Sequence, residues 1–398
     1  MSHQAKPQPV TAQAETVSFT LRDLLFYFLR LGTFGFGGPI ALAGYMQRDL
    51  VERRRWVSRS DYLEGLAFSQ LSPGPLAAQL AMYIGWLRAG FIGTTFVGMA
   101  FVLPSFMMAV VVAALYVHFG SLPWIQGMFY GIGAAVIAII VRSAIKLILT
   151  TVGKDSLLWM IFVVLAITTA WTQSEIIWLF VLSGVVAMLI KAPPWHSHNL
   201  SMTFLASVSP WLSGVHGLAS MATLTGLFLF FLKAGAFVFG SGLAIVPFLY
   251  GGVVAKFHWL TERQFVDAVA VAMITPGPVV ITAAFIGYLV AGTLGAILAA
   301  FAVFAPPYFV ILVGAPYYRR FAQNQQVKAF VQGVTAAAVG AIAGAAYILA
   351  RRSLIDITTW FIGGVALAVL MLTKKIPEPV LILTAGVVGL ILHGRVAR

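Results

Sequence analysis

Cysteine does not occur anywhere in the 398 residues, which excludes disulfides, thiolate metal sites, iron–sulfur clusters and thiol redox chemistry. Charge is nearly as scarce. Only 9% of residues are Asp, Glu, Lys or Arg, against about 25% in soluble domains, and acids are the rarer sign, 12 against 25 bases. No Walker sequence, dinucleotide fingerprint or zinc-protease motif is present, so neither ATP-driven work nor an enzyme is indicated. His196 and His198 lie close together, but without cysteine or a nearby carboxylate they make a poor metal site. No metal and no cofactor is expected. Residues 1–20 lack the basic start and short apolar core of a cleavable signal and read as a disordered cytoplasmic tail.

What fills the chain instead is apolar. Hydrophobic residues make up 60% and the mean hydropathy is +0.95, the composition of a polytopic protein surrounded by a lipid bilayer. Stretches such as Leu157 to Trp171, Ile176 to Ile190 and Thr358 to Thr373 match a hydrocarbon core of roughly 30 Å at about 1.5 Å per helical residue. The net charge of +13 sits in short loops between apolar segments, so it reports topology and not a nucleic-acid partner.

One passage occurs twice. Phe28-Leu29-Arg30-Leu31-Gly32-Thr33-Phe34-Gly35-Phe36-Gly37 returns 203 positions later as Phe231-Leu232-Lys233-Ala234-Gly235-Ala236-Phe237-Val238-Phe239-Gly240. The same offset relates Trp56 to Trp259, Glu64 to Asp267, and Ser72-Pro73-Gly74-Pro75 to Thr275-Pro276-Gly277-Pro278. Beyond that motif it falls to 202, pairing Gly85 with Gly287 and Pro104 with Pro306. The chain therefore divides into a first repeat over 21–190, a linker over 191–222 and a second repeat over 223–398. Each repeat carries about five to six apolar segments, the first four of them near 24–46, 62–87, 91–117 and 126–150. The first segment and the Pro-Gly-Pro segment of each repeat are also compatible with re-entry.

Orientation follows from the bases. The loop carrying Arg48, Arg53, Arg54, Arg55 and Arg59 belongs in the cytoplasm. In the first repeat, 118–125 and 172–175 hold no Lys or Arg, whereas their counterparts hold Arg319, Arg320, Lys374 and Lys375. The expected fold is an all-α membrane protein of two inverted repeats, with broken helices at both Pro-Gly-Pro motifs. Arg142, Lys146, Lys154, Arg351 and Arg352 do not follow that simple inversion.

Paired helix-breaking motifs in the two halves of so apolar a chain point to a transporter's binding site. Pro73, Pro75, Pro276 and Pro278 each remove an amide donor, so the helix breaks there and a half-helix beginning after the break offers free N–H groups to an anion. Ser72 and Thr275 precede the breaks and either cap the next half-helix or donate to a ligand. Gly35, Gly37, Gly38, Gly74, Gly240 and Gly277 allow close backbone approach. Arg30 and Lys233 are cations within apolar runs and suit a tetrahedral oxyanion, Arg through its planar fork and Lys as a point charge. Gln79 and Thr282 follow each break by about one turn and are candidates for the same cavity. Glu64 and Asp267 open the helices that lead to the breaks and are candidate proton-carrying or gating carboxylates, paired with an Arg of the preceding loop.

Phe34-Gly35-Phe36-Gly37-Gly38-Pro39, the basic stretch ending in Trp56, and Leu71-Ser72-Pro73-Gly74-Pro75 with a diverged second copy resemble the chromate ion transporter family in its long, two-domain form, over essentially the whole chain from Leu24 on. The resemblance implies export of chromate across a bacterial inner membrane, driven by a proton or potential gradient, with sulfate as competitor. A homodimer is one expected assembly. Sulfate or other oxyanion uptake, or an anion channel, would use the same residues. The second copy reads Phe239-Gly240-Ser241-Gly242 where the first reads Phe36-Gly37-Gly38-Pro39, so the first half is expected to dominate substrate contact.

Overall fold

The structure, a computed structural model, describes residues 17–120, 122–172, 177–193, 221–237, 242, 245–318, 324–373 and 376–396. Most of the tail and linker, Gly240, His196, His198, Arg319, Arg320, Lys374 and Lys375 lie outside these residues. Helices account for nearly all of the described chain, and no strand occurs among the described residues. In the first half they are α1 (Leu21–Phe34), α2 (Gly38–Met46), α3 (Arg59–Leu71), α4 (Leu76–Phe119), α5 (Pro123–Leu147), α6 (Ser156–Thr172) and α7 (Ile177–Lys191). In the second half they are α8 (Met221–Phe237), α9 (Ile245–Leu249), α10 (Glu262–Ile274), α11 (Thr282–Gly314), α12 (Gln325–Ser353), α13 (Ile357–Leu372) and α14 (Glu378–Val396).

The first two apolar segments of each half do not cross the bilayer. α1 opens on a capping box in which Thr20 accepts from the Asp23 amide, and it is followed after Gly35 by α2 running back beside it. The ends of this hairpin meet: the Phe19 and Trp56 rings stack at 5.2 Å and the Val17 amide donates to the Arg55 carbonyl at 2.8 Å. α3 and the first arm of α4 fold back in the same way, so that the Phe68 and Tyr83 rings lie 6.2 Å apart on either side of the Pro-Gly-Pro tip. Arg88, at the far end of that arm, donates through Nε to the Phe19 carbonyl at 3.0 Å. Both hairpins thus enter and leave on one face.

α4 then reverses. A Cβ on Gly98 would stand 3.1 Å from the Met82 Cε, although sixteen residues of continuous helix would separate them by about 24 Å. The reversal sits at Ala89 and Gly90, where Gly90 takes φ +54° with ψ −131°, a conformation that a side chain would strain. Gly85 and Gly93 pack backbone to backbone beside it. The second half repeats the device at Ala291 and Gly292, with Gly287 against Gly295. From this turn the second arm of α4, and then α5, are long and apolar enough to cross a membrane, as are α11 and α12 in the second half, while α6, α7, α13 and α14 are shorter apolar helices.

Contacts between the halves establish their inversion. The Tyr116 hydroxyl, near the end of α4, donates to Asp267, near the start of α10, at 2.7 Å. Arg263 donates to the Gln126 carbonyl and Tyr130 donates to Asp356 at 2.5 Å. On the opposite face, Lys191 reaches Gln332 at 3.0 Å and Arg142 pairs with Glu378 at 3.8 Å. Three of these pairs, Tyr116 with Asp267, Lys191 with Gln332 and Arg142 with Glu378, join the end of an element in the first half to the start of one in the second, as halves that run oppositely require. Arg54, Arg55, Arg59, Arg88, Lys154 and Lys191 gather on the face of the first-half hairpins, which is therefore cytoplasmic. There Lys191 hydrogen-bonds Asp155 at 2.6 Å and holds its carboxyl below the usual carboxylate range. Arg352, one of the bases outside that simple inversion, lies on the other face, where its guanidinium pairs with Glu262 and donates to the Tyr250 hydroxyl.

Packing uses small residues, as it must where lipid offers helices no hydrophobic driving force to associate. Gly32 of α1 meets the Phe101 backbone, and the equivalent Gly235 meets that of Val303. α12 likewise lays Gly340 and Gly344 on the α6 carbonyls of Phe162 and Ala166. We expect Gly85→Val and Gly287→Val each to lower the melting temperature of detergent-purified protein by several degrees, while Gly364→Ala, which meets open space, leaves it unchanged in the same fluorescence assay.

Candidate functional site

The helix breaks are hairpin tips, and the tips converge. From the cytoplasmic side come Gly35 to Gly38, between α1 and α2; from the other side come Thr275 to Pro278, between α10 and α11. The Gly277 amide donates to the Gly35 carbonyl at 3.1 Å. Gly242, from the tip of the α8–α9 hairpin, completes the meeting: a Cβ there would lie 3.5 Å from the Val279 Cβ and 3.9 Å from the Pro39 Cγ. With α1 only 14 residues long, about 21 Å at the helical rise, the tips meet inside the membrane and not at a surface.

The crossing helices hold the Pro-Gly-Pro tips in related ways. Gly277 faces Ser105 of α4, and Gly74 faces Pro307 of α11, each tip thus resting on the other half. Gly277 has φ +99°, and a Cβ added there would strike Ser105. α3 ends on Ser72, whose amide bonds the Phe68 carbonyl, and α4 starts after Pro75 with no side-chain cap. Ser72 and Thr275 therefore close the preceding helices instead of capping the following ones. The reason is local: each proline forces an extended residue between the hydroxyl and the next helix, and Thr275 donates backward to the Ala272 carbonyl at 3.3 Å.

A small cavity of about 20 Å³ lies at the convergence, lined by Gly35, Gly37, Gly38, Thr275, Gly277 and Glu378 among others. It is room for about one water. The cavity draws one tip from each half. Gln79 and Thr282 do not line it. Gln79 donates through Nε2 to the Pro73 carbonyl at 2.7 Å, bracing its own tip, while its Oε1 is buried without a hydrogen-bond partner. Thr282 donates to the Val279 carbonyl at 2.6 Å. Arg30 and Lys233 stand on exposed faces of α1 and α8, away from the cavity lining. A larger cavity, about 610 Å³, opens at the extracytoplasmic face beside Trp259, Glu262 and Arg352; its Arg is already engaged by Glu262 and Tyr250.

The matched carboxylates take partners that the sequence does not suggest. Asp267 is buried, and its hydrogen bond comes from Tyr116 of the other half, with Arg263 on its own helix acting on it at longer range. Glu64 is partly buried and lies within electrostatic reach of Tyr318, the residue that the repeat pairs with Tyr116. One acid–tyrosine hydrogen bond, Tyr116 to Asp267, therefore joins the halves, while the equivalent Glu64 and Tyr318 interact electrostatically. Sequence reasoning missed both tyrosines, and it missed Glu378. The repeat offset of 202 relates Tyr116 to Tyr318 and was the available signal. Glu378 has no counterpart signal, because it stands among apolar residues at a helix start.

Comparison with known proteins places these features in a family. The family model described as chromate transporter matches residues 22–188 and again 225–390. A chromate transport protein of Cupriavidus metallidurans is 53% identical over 97% of this chain and 98% of its own. A probable chromate transport protein of Synechococcus elongatus is 52% identical over 94% and 96%, and a chromate transport protein of Pseudomonas aeruginosa is 29% identical over 97% and 95%. No solved structure matches the chain.

Removing the Tyr116 hydroxyl leaves the buried Asp267 without its donor, a loss of about 1–3 kcal/mol for such a group. Tyr116→Phe should therefore lower thermal stability, and adding Asp267→Asn should recover part of the loss, because a neutral amide needs that donor less. A double-mutant cycle by thermal unfolding in detergent checks the coupling.

Proposed function

Because the chain belongs to the chromate transporter family, we propose that it exports chromate from the cytoplasm across a bacterial inner membrane by alternating access, with the oxyanion held where the hairpin tips converge. The observation that carries this reading is the meeting of tips from both faces at one mid-membrane cavity. Broken backbone at such a depth is tolerated only inside protein or beside a cavity. Inverted repeats place their substrate at that position. The glycines at the tips let an anion approach the backbone amides, and Thr275 adds a hydroxyl.

Electrostatics favours export. A dianion leaving a negative interior gains about 2.3 kcal/mol per charge for each 100 mV, or about 4.6 kcal/mol in all, equivalent to a gradient of more than three powers of ten at about 1.36 kcal/mol per decade. The membrane potential alone is then a sufficient energy source, and uptake would have to work against it. A cavity of water size favours a carrier over an open channel. Asp267 with Tyr116, and Glu64 with Tyr318, serve in this reading as gates that hold the halves together at the outer and inner faces.

Everted vesicles test it. With a lumen-positive potential and no pH gradient, chromate should accumulate well above equilibrium, and excess sulfate should compete. Equilibration without accumulation would indicate a channel, accumulation only with a pH gradient would indicate obligatory proton coupling, and sulfate transport without chromate transport would overturn the substrate.

A further inference from the structure

An oxyanion site inside the bilayer needs positive charge near it, and the two cations found in the repeated passage do not line the tip cavity. The charged side chain that does is Glu378, the first residue of α14. The same carboxylate pairs with Arg142 of α5, which does not itself line the cavity and whose Nη1 lies 3.8 Å from Glu378 Oε1. Lys146, one turn further along α5, acts on the same carboxylate. The pair is partly buried, with side-chain exposures of 29% and 32%, and it joins the first half to the second on the cytoplasmic side. One carboxylate thus faces two cations, leaving the cluster with an excess of one positive charge.

We propose that Arg142, with Lys146, is the cytoplasmic recognition site for a tetrahedral divalent oxyanion, and that Glu378 is a tethered stand-in that occupies Arg142 until the substrate displaces it. The inference rests on the oxyanion-transport reading and adds to it the residues that supply charge. The chemistry is specific. A guanidinium presents a fork that takes two oxygens of a carboxylate or of a tetrahedral oxyanion. At 3.8 Å the existing contact is a charge pair at the edge of range, without hydrogen-bonding distance, so it is readily exchanged. Replacing a single negative charge by a double one brings Arg142 and Lys146 to neutrality. The carboxylate in turn keeps the cations from standing uncompensated at membrane depth when no substrate is present, a situation that bilayers penalise.

The test is equilibrium binding of radiolabelled chromate to the purified full chain in nanodiscs, with labelled sulfate as second probe. Arg142→Gln and Glu378→Gln break the same ion pair, so a purely structural role predicts that both weaken binding. The proposal predicts opposite signs: about tenfold weaker binding for Arg142→Gln, scaled from loss of one charge-assisted contact, and severalfold tighter binding for Glu378→Gln, with Arg142→Lys intermediate. Unchanged or weaker binding in Glu378→Gln, or wild-type binding in Arg142→Gln, would overturn it. Failure of the wild-type chain to bind either anion would remove the transport reading itself, and the inference with it.

Discussion

Backbone amides and carbonyls cannot be left unpaired in hydrocarbon, and each helix-breaking motif in this chain exposes several of them at membrane depth. The hydrogen bond from the Gly277 amide to the Gly35 carbonyl answers that constraint, because the broken end of one half is satisfied by the broken end of the other. Much of the remaining architecture follows. The tips must reach the same depth from opposite faces, so the halves must be inverted. They must approach without side chains, so they are rich in glycine. They must be held from behind, so Ser105 and Pro307, in the long crossing helices, sit against Gly277 and Gly74.

Inversion also explains why duplicated residues serve unequal purposes. Asp267 and Glu64 occupy equivalent places on hairpins that enter from opposite faces; Asp267 accepts a hydrogen bond from Tyr116 of the other half, and Glu64 acts electrostatically on Tyr318. Asp267 is the more buried of the two carboxylates. Glu378 and Arg142 have no symmetric partners of that kind, which makes the cytoplasmic side chemically distinct and suits a carrier that loads there.

The fold was legible in the sequence where the repeat made it so. The constant offset from Phe28 to Pro75 announced two homologous halves, and the loop bases around Arg53 announced their orientation. The Pro-Gly-Pro motifs announced a break but not its shape. Proline removes a hydrogen bond wherever the chain then goes, so a kinked crossing helix and a hairpin tip look alike until Phe68 is seen against Tyr83. The reversal at Ala89 and Gly90 was equally hidden, since an apolar helical pattern continues through it. Arg30 drew attention because a base within an apolar run is rare, but rarity does not say which face of α1 it occupies. The ion pair of Arg142 with Glu378 joins residues far apart in the chain, and only tertiary structure brings them together.

The convergence of tips from opposite faces can be measured directly, because the chain has no cysteine of its own. Paired substitutions Pro39→Cys and Gly242→Cys put thiols on the α1–α2 and α8–α9 tips, where the two lie within van der Waals reach. Mild oxidation of the double variant in native membranes should form an intramolecular disulfide that arrests chromate transport, and reductant should restore it, while either single variant stays unlinked and is insensitive to oxidation. Absence of the intramolecular link in a folded, transport-competent double variant would place the two tips apart and contradict the account.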